Sequence, residues 1–67
     1  MRTAVLTVRQ YEVIQRIARG MADKEIAADL DISETAVRMH IRAAEGRLQA
    51  RTRAEATARA VRQGLIA

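Results

Sequence analysis

The 67-residue sequence predicts an all-α domain of four helices. Three observations carry that expectation. Proline is absent while Ala, Arg, Leu, Ile and Glu abound, so no helix interior meets a breaker. Apolar residues recur at spacings of three and four rather than in alternation. A hydroxyl side chain with Gln or Glu three residues on, the signature of a helix start, stands at Thr7/Gln10 and Thr52/Glu55, and Ser33 marks a further start. Helices are placed at about 7–19, 23–30, 34–48 and 53–63, and 1–67 reads as one domain.

Thr7 and Gln10 form a capping box that opens the first helix, each side chain satisfying an amide of the first turn. Val13, Ile14, Ile17 and Ala18 share one face, and Leu6 is set to staple onto it from before the cap. Gly20, free to take left-handed backbone, ends the helix. The second helix is short, with Asp23 and Glu25 at its positive end and Ile26, Ala27 and Leu30 as its apolar stripe. Asp31-Ile32-Ser33 is a tight connection in which Ser33 caps the third helix. At ~100° per residue, Val37, Ile41, Ala44 and Leu48 fall within ~60° of one another and form one stripe to bury. Thr35, Arg38, Met39, Arg42 and Gly46 lie opposite. Thr52 and Glu55 make a second capping box for the fourth helix, where Ala54, Ala56, Ala58, Ala60 and Val61 precede Gly64-Leu65-Ile66. Such small residues admit a close neighbour, either the domain's own core or a second copy.

Composition narrows the function. A chain this short buries only ~60% of the surface its unfolded form exposes. Without cysteine, neither a disulfide nor a thiolate zinc site can add stability, whereas a second copy of the chain can. Tyr11 is the sole aromatic residue and is expected to be a partly exposed packing residue; its isolation argues against platforms that stack single-stranded or RNA bases. No apolar run approaches the ~20 residues of a membrane span and no signal peptide is evident. The expectation is a soluble protein of the cytoplasm, at the nucleoid, with no membrane partner. His40 has no second His and no Cys to complete a metal site. No Gly-rich phosphate loop or paired nucleophile is present, so no enzyme, cofactor or metal is expected. The formal charge of +4 is uneven: residues 1–34 hold five Lys/Arg against six Asp/Glu, residues 35–67 seven against two. Basic charge gathered in one half suits a polyanion-binding surface, and equally a solvated, Arg-rich helical face.

Two short helices joined by a tight turn, the second with a buried stripe and a basic outer face, describe a helix-turn-helix. Particular residues sharpen this. Leu6-Thr7-x-Arg9, Glu12-Val13-Ile14 and Ile17-Ala18-x-Gly20 open the chain; Lys24-Glu25-Ile26-Ala27-x-x-Leu30-x-Ile32-Ser33-Glu34 and Val37-Arg38-x-His40 follow. Arg47-Leu48, Arg51-x-Arg53-x-Glu55-Ala56 and Gly64-Leu65-Ile66 complete the series. In this order and spacing the chain resembles the LuxR/GerE-type helix-turn-helix family from Leu6 to Ile66. The resemblance implies a bacterial transcription regulator whose third helix enters the major groove of double-stranded promoter DNA and whose fourth helix pairs with a second copy, giving a homodimer. It implies base contacts from Arg38, Met39 and Arg42, and Thr35 on the same outward face is expected to join them at the bases. Phosphate contacts fall to Lys24, Ser33, His40 and Arg47, with His40 equally open to a packing role beside the core, and the dimer seam to Ala56, Ala60, Val61 and Gly64. Two reading arginines suit guanine, whose O6 and N7 accept a bidentate guanidinium. RNA polymerase is a further candidate partner.

The sequence also departs from that family. Gln10 stands where Glu is usual, Ala22 and Asp23 where Ser and Asn are usual, and Ala36 where Thr is usual. Ala44 replaces a bulky aliphatic, Gly46 costs ~1 kcal/mol of helix propensity, and Gln49 replaces a closing glycine. The end of the third helix is therefore expected to be looser than usual, or packed differently around Ala44. Glu12 with an arginine such as Arg47 is a minor candidate for a structural ion pair. The start at Met1 favours a free-standing regulator over an output domain. Two other functions stay open: a sigma-factor region-four-like promoter module, against which the Gly64-Leu65-Ile66 ending speaks, and a protein-interaction adaptor that keeps the fold without reading DNA.

Overall fold

The computed structural model describes residues 5–66; the ends of the expected 1–67 domain lie outside them. Four helices occur in order: α1 (Val8–Ala18), α2 (Asp23–Leu30), α3 (Glu34–Arg47) and α4 (Arg53–Arg62). Each expected helix is present, with the outermost expected residues acting as caps: Thr7 before α1, and Arg19, Leu48 and Gln63 after α1, α3 and α4.

The helix starts differ in how completely they are capped. At α1 the box is whole: the Gln10 amide donates to Thr7 Oγ1 (3.1 Å) and the Thr7 amide to Gln10 Oε1 (3.0 Å). At α3 the Ala36 amide donates to Ser33 Oγ (3.0 Å). At α4 the expected box is only half formed. The Glu55 amide donates to Thr52 Oγ1 (3.1 Å), but Glu55 Oε1 accepts from the Arg51 amide (2.8 Å) instead of that of Thr52. Thr52 lies at φ −135° where Thr7 lies at −70°, which turns its own amide away from the carboxylate. At α2, Ala22 has no side-chain acceptor, and Glu25 alone caps by accepting from the Ala22 amide (2.8 Å).

The helix ends are alike. Gly20, Asp31, Gln49 and Gly64 all take left-handed backbone, at φ 86°, 56°, 55° and 72°. The following amide then reaches back five residues: Met21 to Arg16 O (3.1 Å), Ile32 to Ala27 O (3.0 Å), Ala50 to Glu45 O (2.8 Å) and Leu65 to Ala60 O (2.9 Å). This is the Schellman closure, and its hydrophobic partner is present each time, since Met21, Ile32, Ala50 and Leu65 all pack against the core. The end of α3 is therefore closed, not loose. Leu48 is buried there, and Ala44 packs in one cluster with Ala56 and Ala60, so small residues on both helices take the place of a bulky one.

The core has two parts. Val13, Ile26, Ala27, Val37 and Ile41 join α1, α2 and the first half of α3. Leu6, Ile14, Ala44, Leu48, Ala56, Ala60 and Ile66 join α1, the second half of α3 and α4. Neighbouring Val13 and Ile14 point into different parts, while Ile17 packs on both. Fully burying Val13, Ile14, Ile26 and Val37 stabilises the fold by roughly 1.5–3 kcal/mol each. Two long-range ion pairs tie the helices: Arg16 Nε to Asp29 Oδ2 (2.5 Å), and Arg53 to both carboxylate oxygens of Asp23 (2.5 and 3.1 Å). The Glu12–Arg47 pair is not formed. Glu12 meets Arg9 instead (3.4 Å), and Arg47, on the last turn of α3, donates to the Val5 carbonyl (3.1 Å).

Candidate nucleic-acid interface

The rotation of α3 about its axis is fixed by what it buries. Val37, Ile41, Ala44 and Leu48 lie between 0 and 3% exposed. The helical wheel then forces Thr35, Arg38, Met39 and Arg42 outward, and these four line one shallow depression. Met39 is 64% exposed, an unusual place for a large apolar side chain unless something covers it. The tight turn from α2 into α3 passes through left-handed Asp31 and leads into the Ser33-capped, positive end of α3.

The two arginines are not equivalent. Arg38 Nη1 lies 3.9 Å from Glu34 Oε1, one turn earlier, with both side chains half exposed. Arg42 has no carboxylate within 4.0 Å among the described residues. Asp23 sits nearby at the start of α2. The guanidinium of Arg53 bonds its carboxylate and holds it below the usual aspartate range, against the opposing effect of burial, with weaker help from the charges of Arg53 and Arg38. The same bond holds Arg53 more firmly protonated.

The flanking residues are placed as follows. Lys24 is exposed on the first turn of α2. Ser33 Oγ accepts from Ala36, which leaves its hydroxyl proton free to donate. His40 is half-buried on the flank of α3, and Arg47 is exposed while bonded to Val5 O. Tyr11 is half-buried, its hydroxyl accepting from Gln15 Nε2 (3.1 Å). The expected dimer seam needs correction. Ala56 and Ala60 are completely buried in the domain's own core, so their side chains have no surface to offer a second copy. Val61 and Gly64 are exposed, and so are Ala54 and Ala58 on the outer face of α4. The Asp23–Arg53 link was not anticipated, because partners 30 residues apart leave no local signal. The Glu34–Arg38 spacing of four was legible and was not used.

The profile described as "Bacterial regulatory proteins, luxR family" matches residues 4–60. The chain belongs to this family. Its helix-turn-helix is α2, the turn at Asp31 and α3, and the solved structure of the transcription factor GerE shares the fold. GerE superposes on this luxR-family domain with a TM-score of 0.92 over 97% of both chains at 32% identity. The response regulator ChrA of a heme-sensing two-component system superposes at a TM-score of 0.87 and 33% identity, covering 98% of this chain and 32% of ChrA. In sequence, the domain is 43% identical over 54 residues to the nitrate/nitrite response regulator NarP of Escherichia coli K12, covering 81% of this chain. It is 35% identical over 63 residues to the transcriptional regulator AlkS of Ectopseudomonas oleovorans, covering 94%. The chain spans 25% of the length of NarP and 7% of AlkS.

Proposed function

We propose that this luxR-family domain binds double-stranded promoter DNA sequence-selectively, seating α3 in the major groove, and does so as a homodimer. One observation carries the reading. The face of α3 opposite its buried stripe presents two arginines one turn apart with an exposed methionine between them, at the capped end of a helix-turn-helix. Arg38 and Arg42 donate to guanine O6 and N7, Met39 supplies an apolar contact of the kind a thymine methyl accepts, and Thr35 reaches a base edge beside them. Lys24, the Ser33 hydroxyl, His40 and the free donors of Arg47 fall to phosphates on either side and set the register. Ala54, Ala58 and Val61 on the outer face of α4, with Gly64 just past its end, form the seam between copies. Such a regulator acts in the cytoplasm at the nucleoid, where RNA polymerase is the partner within reach of a bound promoter.

Selection of bound sequences from a random duplex library at a stated salt concentration tests the reading. The expected result is an enriched motif for the wild type and none for the Arg38→Ala/Arg42→Ala double variant. Each good bidentate arginine–guanine contact is worth about 1–3 kcal/mol of discrimination, so losing both leaves only salt-governed phosphate binding. A double variant that still enriches the same motif overturns this assignment of the reading face.

A further inference from the structure

We propose that Glu34 and Arg38 act as one unit that reads a single G·C pair, Arg38 donating to guanine O6 and N7 while Glu34 accepts from the cytosine N4 amino group. The inference rests on the DNA-binding reading above and names the base pair that this end of the site takes. Across the major groove a G·C pair shows two acceptors and then one donor, N7, O6 and N4. Glu34 and Arg38 carry the complementary array: guanidinium donors beside a carboxylate acceptor.

The geometry suits that use. Nη1 and Oε1 lie side by side at 3.9 Å, outside hydrogen-bond range, so each group keeps its bonding capacity for a third partner. Both side chains are half exposed, at 50 and 49%. Helical side chains lean toward the N-terminus, which brings the Arg38 head over the first turn, where Glu34 stands. Asp23, the other carboxylate that attracts Arg38, is already bonded through both oxygens by Arg53. The positive end of α3 favours a carboxylate at Glu34, and in a groove lined by phosphates a base donor such as cytosine N4 offsets the repulsion that would otherwise oppose it. Arg42 has no such companion among the described residues and reads guanine with no demand on the opposite base. The two arginines therefore differ in specificity.

The test uses the full chain and two duplex probes. Library selection with wild type and Arg38→Ala identifies the guanine read by Arg38. Its partner cytosine is then replaced by N4-methyl-dC, which keeps the Watson–Crick hydrogen and blocks the one facing the major groove. Wild type is expected to bind the methylated duplex roughly ten-fold more weakly, the size of one charge-assisted hydrogen bond. Glu34→Ala, with helix content unchanged by circular dichroism, is expected to lose a similar factor on unmodified DNA, to be indifferent to the methyl group, and to relax its preference at that pair alone. If Glu34→Ala keeps the preference or binds every sequence more tightly by one factor, Glu34 only repels phosphates and the proposal is overturned. Equal methylation penalties in both proteins overturn it too. Failure of wild type to enrich any motif defeats the DNA-binding reading itself, a separate outcome.

Discussion

Gln49→Gly is expected to make the domain more stable, and the size of the gain follows from one backbone angle. Gln49 stands just past α3 at φ 55°, the left-handed region where a β-carbon crowds the following carbonyl. An L-residue there costs roughly 1–2 kcal/mol. Glycine removes that cost but gains chain entropy in the unfolded state, which takes back about 0.4–1 kcal/mol. The net is a stabilisation of about 0.8 kcal/mol, within a span of roughly 0 to 1.6 kcal/mol. Nothing else is lost, since the Gln49 side chain is exposed and forms no hydrogen bond among the described residues, and the Ala50–Glu45 and Gln49–Gly46 backbone bonds remain. For a domain of this size, 1 kcal/mol corresponds to roughly 4–8 °C, so thermal unfolding followed by circular dichroism should show Tm rising by about 2–8 °C. Gln49→Ala is the control. It keeps the β-carbon, and with it the strain, and should leave Tm close to that of wild type. A lower Tm for Gln49→Gly, or an equal rise for both variants, would refute the reasoning. DNA binding should be unaffected, because Gln49 lies beyond the far end of α3 from Arg38.

The other predictions concern α2 and α4. Ala22→Ser supplies the missing acceptor for the first turn of α2 and should stabilise by about 1 kcal/mol in urea denaturation; an unchanged midpoint counts against the half-formed box. Asp23→Asn should destabilise at pH 7 by up to about 1 kcal/mol, a modest figure because the Arg53 side chain is partly exposed. The bonded carboxylate has its pKa lowered in the folded state, so its contribution is full above the unfolded value of about 3.9 and fades as pH falls through the folded value. The gap between Asp23→Asn and wild type should therefore narrow as pH falls below the unfolded value, and a gap independent of pH excludes the ion pair as its source. On α4, Val61→Arg should yield a folded monomer in sedimentation, whereas Ala60→Leu should cost about 1–3 kcal/mol of stability by overpacking the core. A Val61→Arg dimer as tight as wild type rules out the outer face as the seam.

Much of this was legible in the sequence, and the rest was hidden for identifiable reasons. The Val37–Ile41–Ala44–Leu48 stripe fixed the outward face of α3 before any coordinates, because burial demands one rotation of the helix. Thr7 and Ser33 announced their caps correctly, since a cap needs only residues within one turn. Gly20 marked a helix end by its identity, and Gly64 closes α4 in the same way. Asp31 and Gln49 adopt the same left-handed backbone without glycine, so the closure after Gln49 could be read only as a missing residue. α4 misled for another reason. It carries alanine on both faces, at 56 and 60 and at 54 and 58, and periodicity gives equal size to each. Only the packing of α1 and α3 selects which pair is core.

The division of the core explains how α3 can present the proposed reading face at one end while departing from its family at the other. Its first half is held by Val37 and Ile41 against Ile26 and Ala27 of α2, and its second by Ala44 and Leu48 against Ala56 and Ala60 of α4. α1 contributes to both halves through Val13, Ile14 and Ile17, so neither can rotate alone. The small Ala44 is accommodated within the α4 half by equally small partners, and the α2 half, where Arg38 and Met39 emerge, keeps its own large aliphatic contacts. Arg53 links the two halves directly, reaching from the first residue of α4 to Asp23 at the first residue of α2. The proposed reading face on α3 and the proposed seam on α4 are thus joined by α3 itself and one bidentate ion pair. If α4 pairs with a second copy, a change of tilt at that seam would reach Arg38 through those two routes.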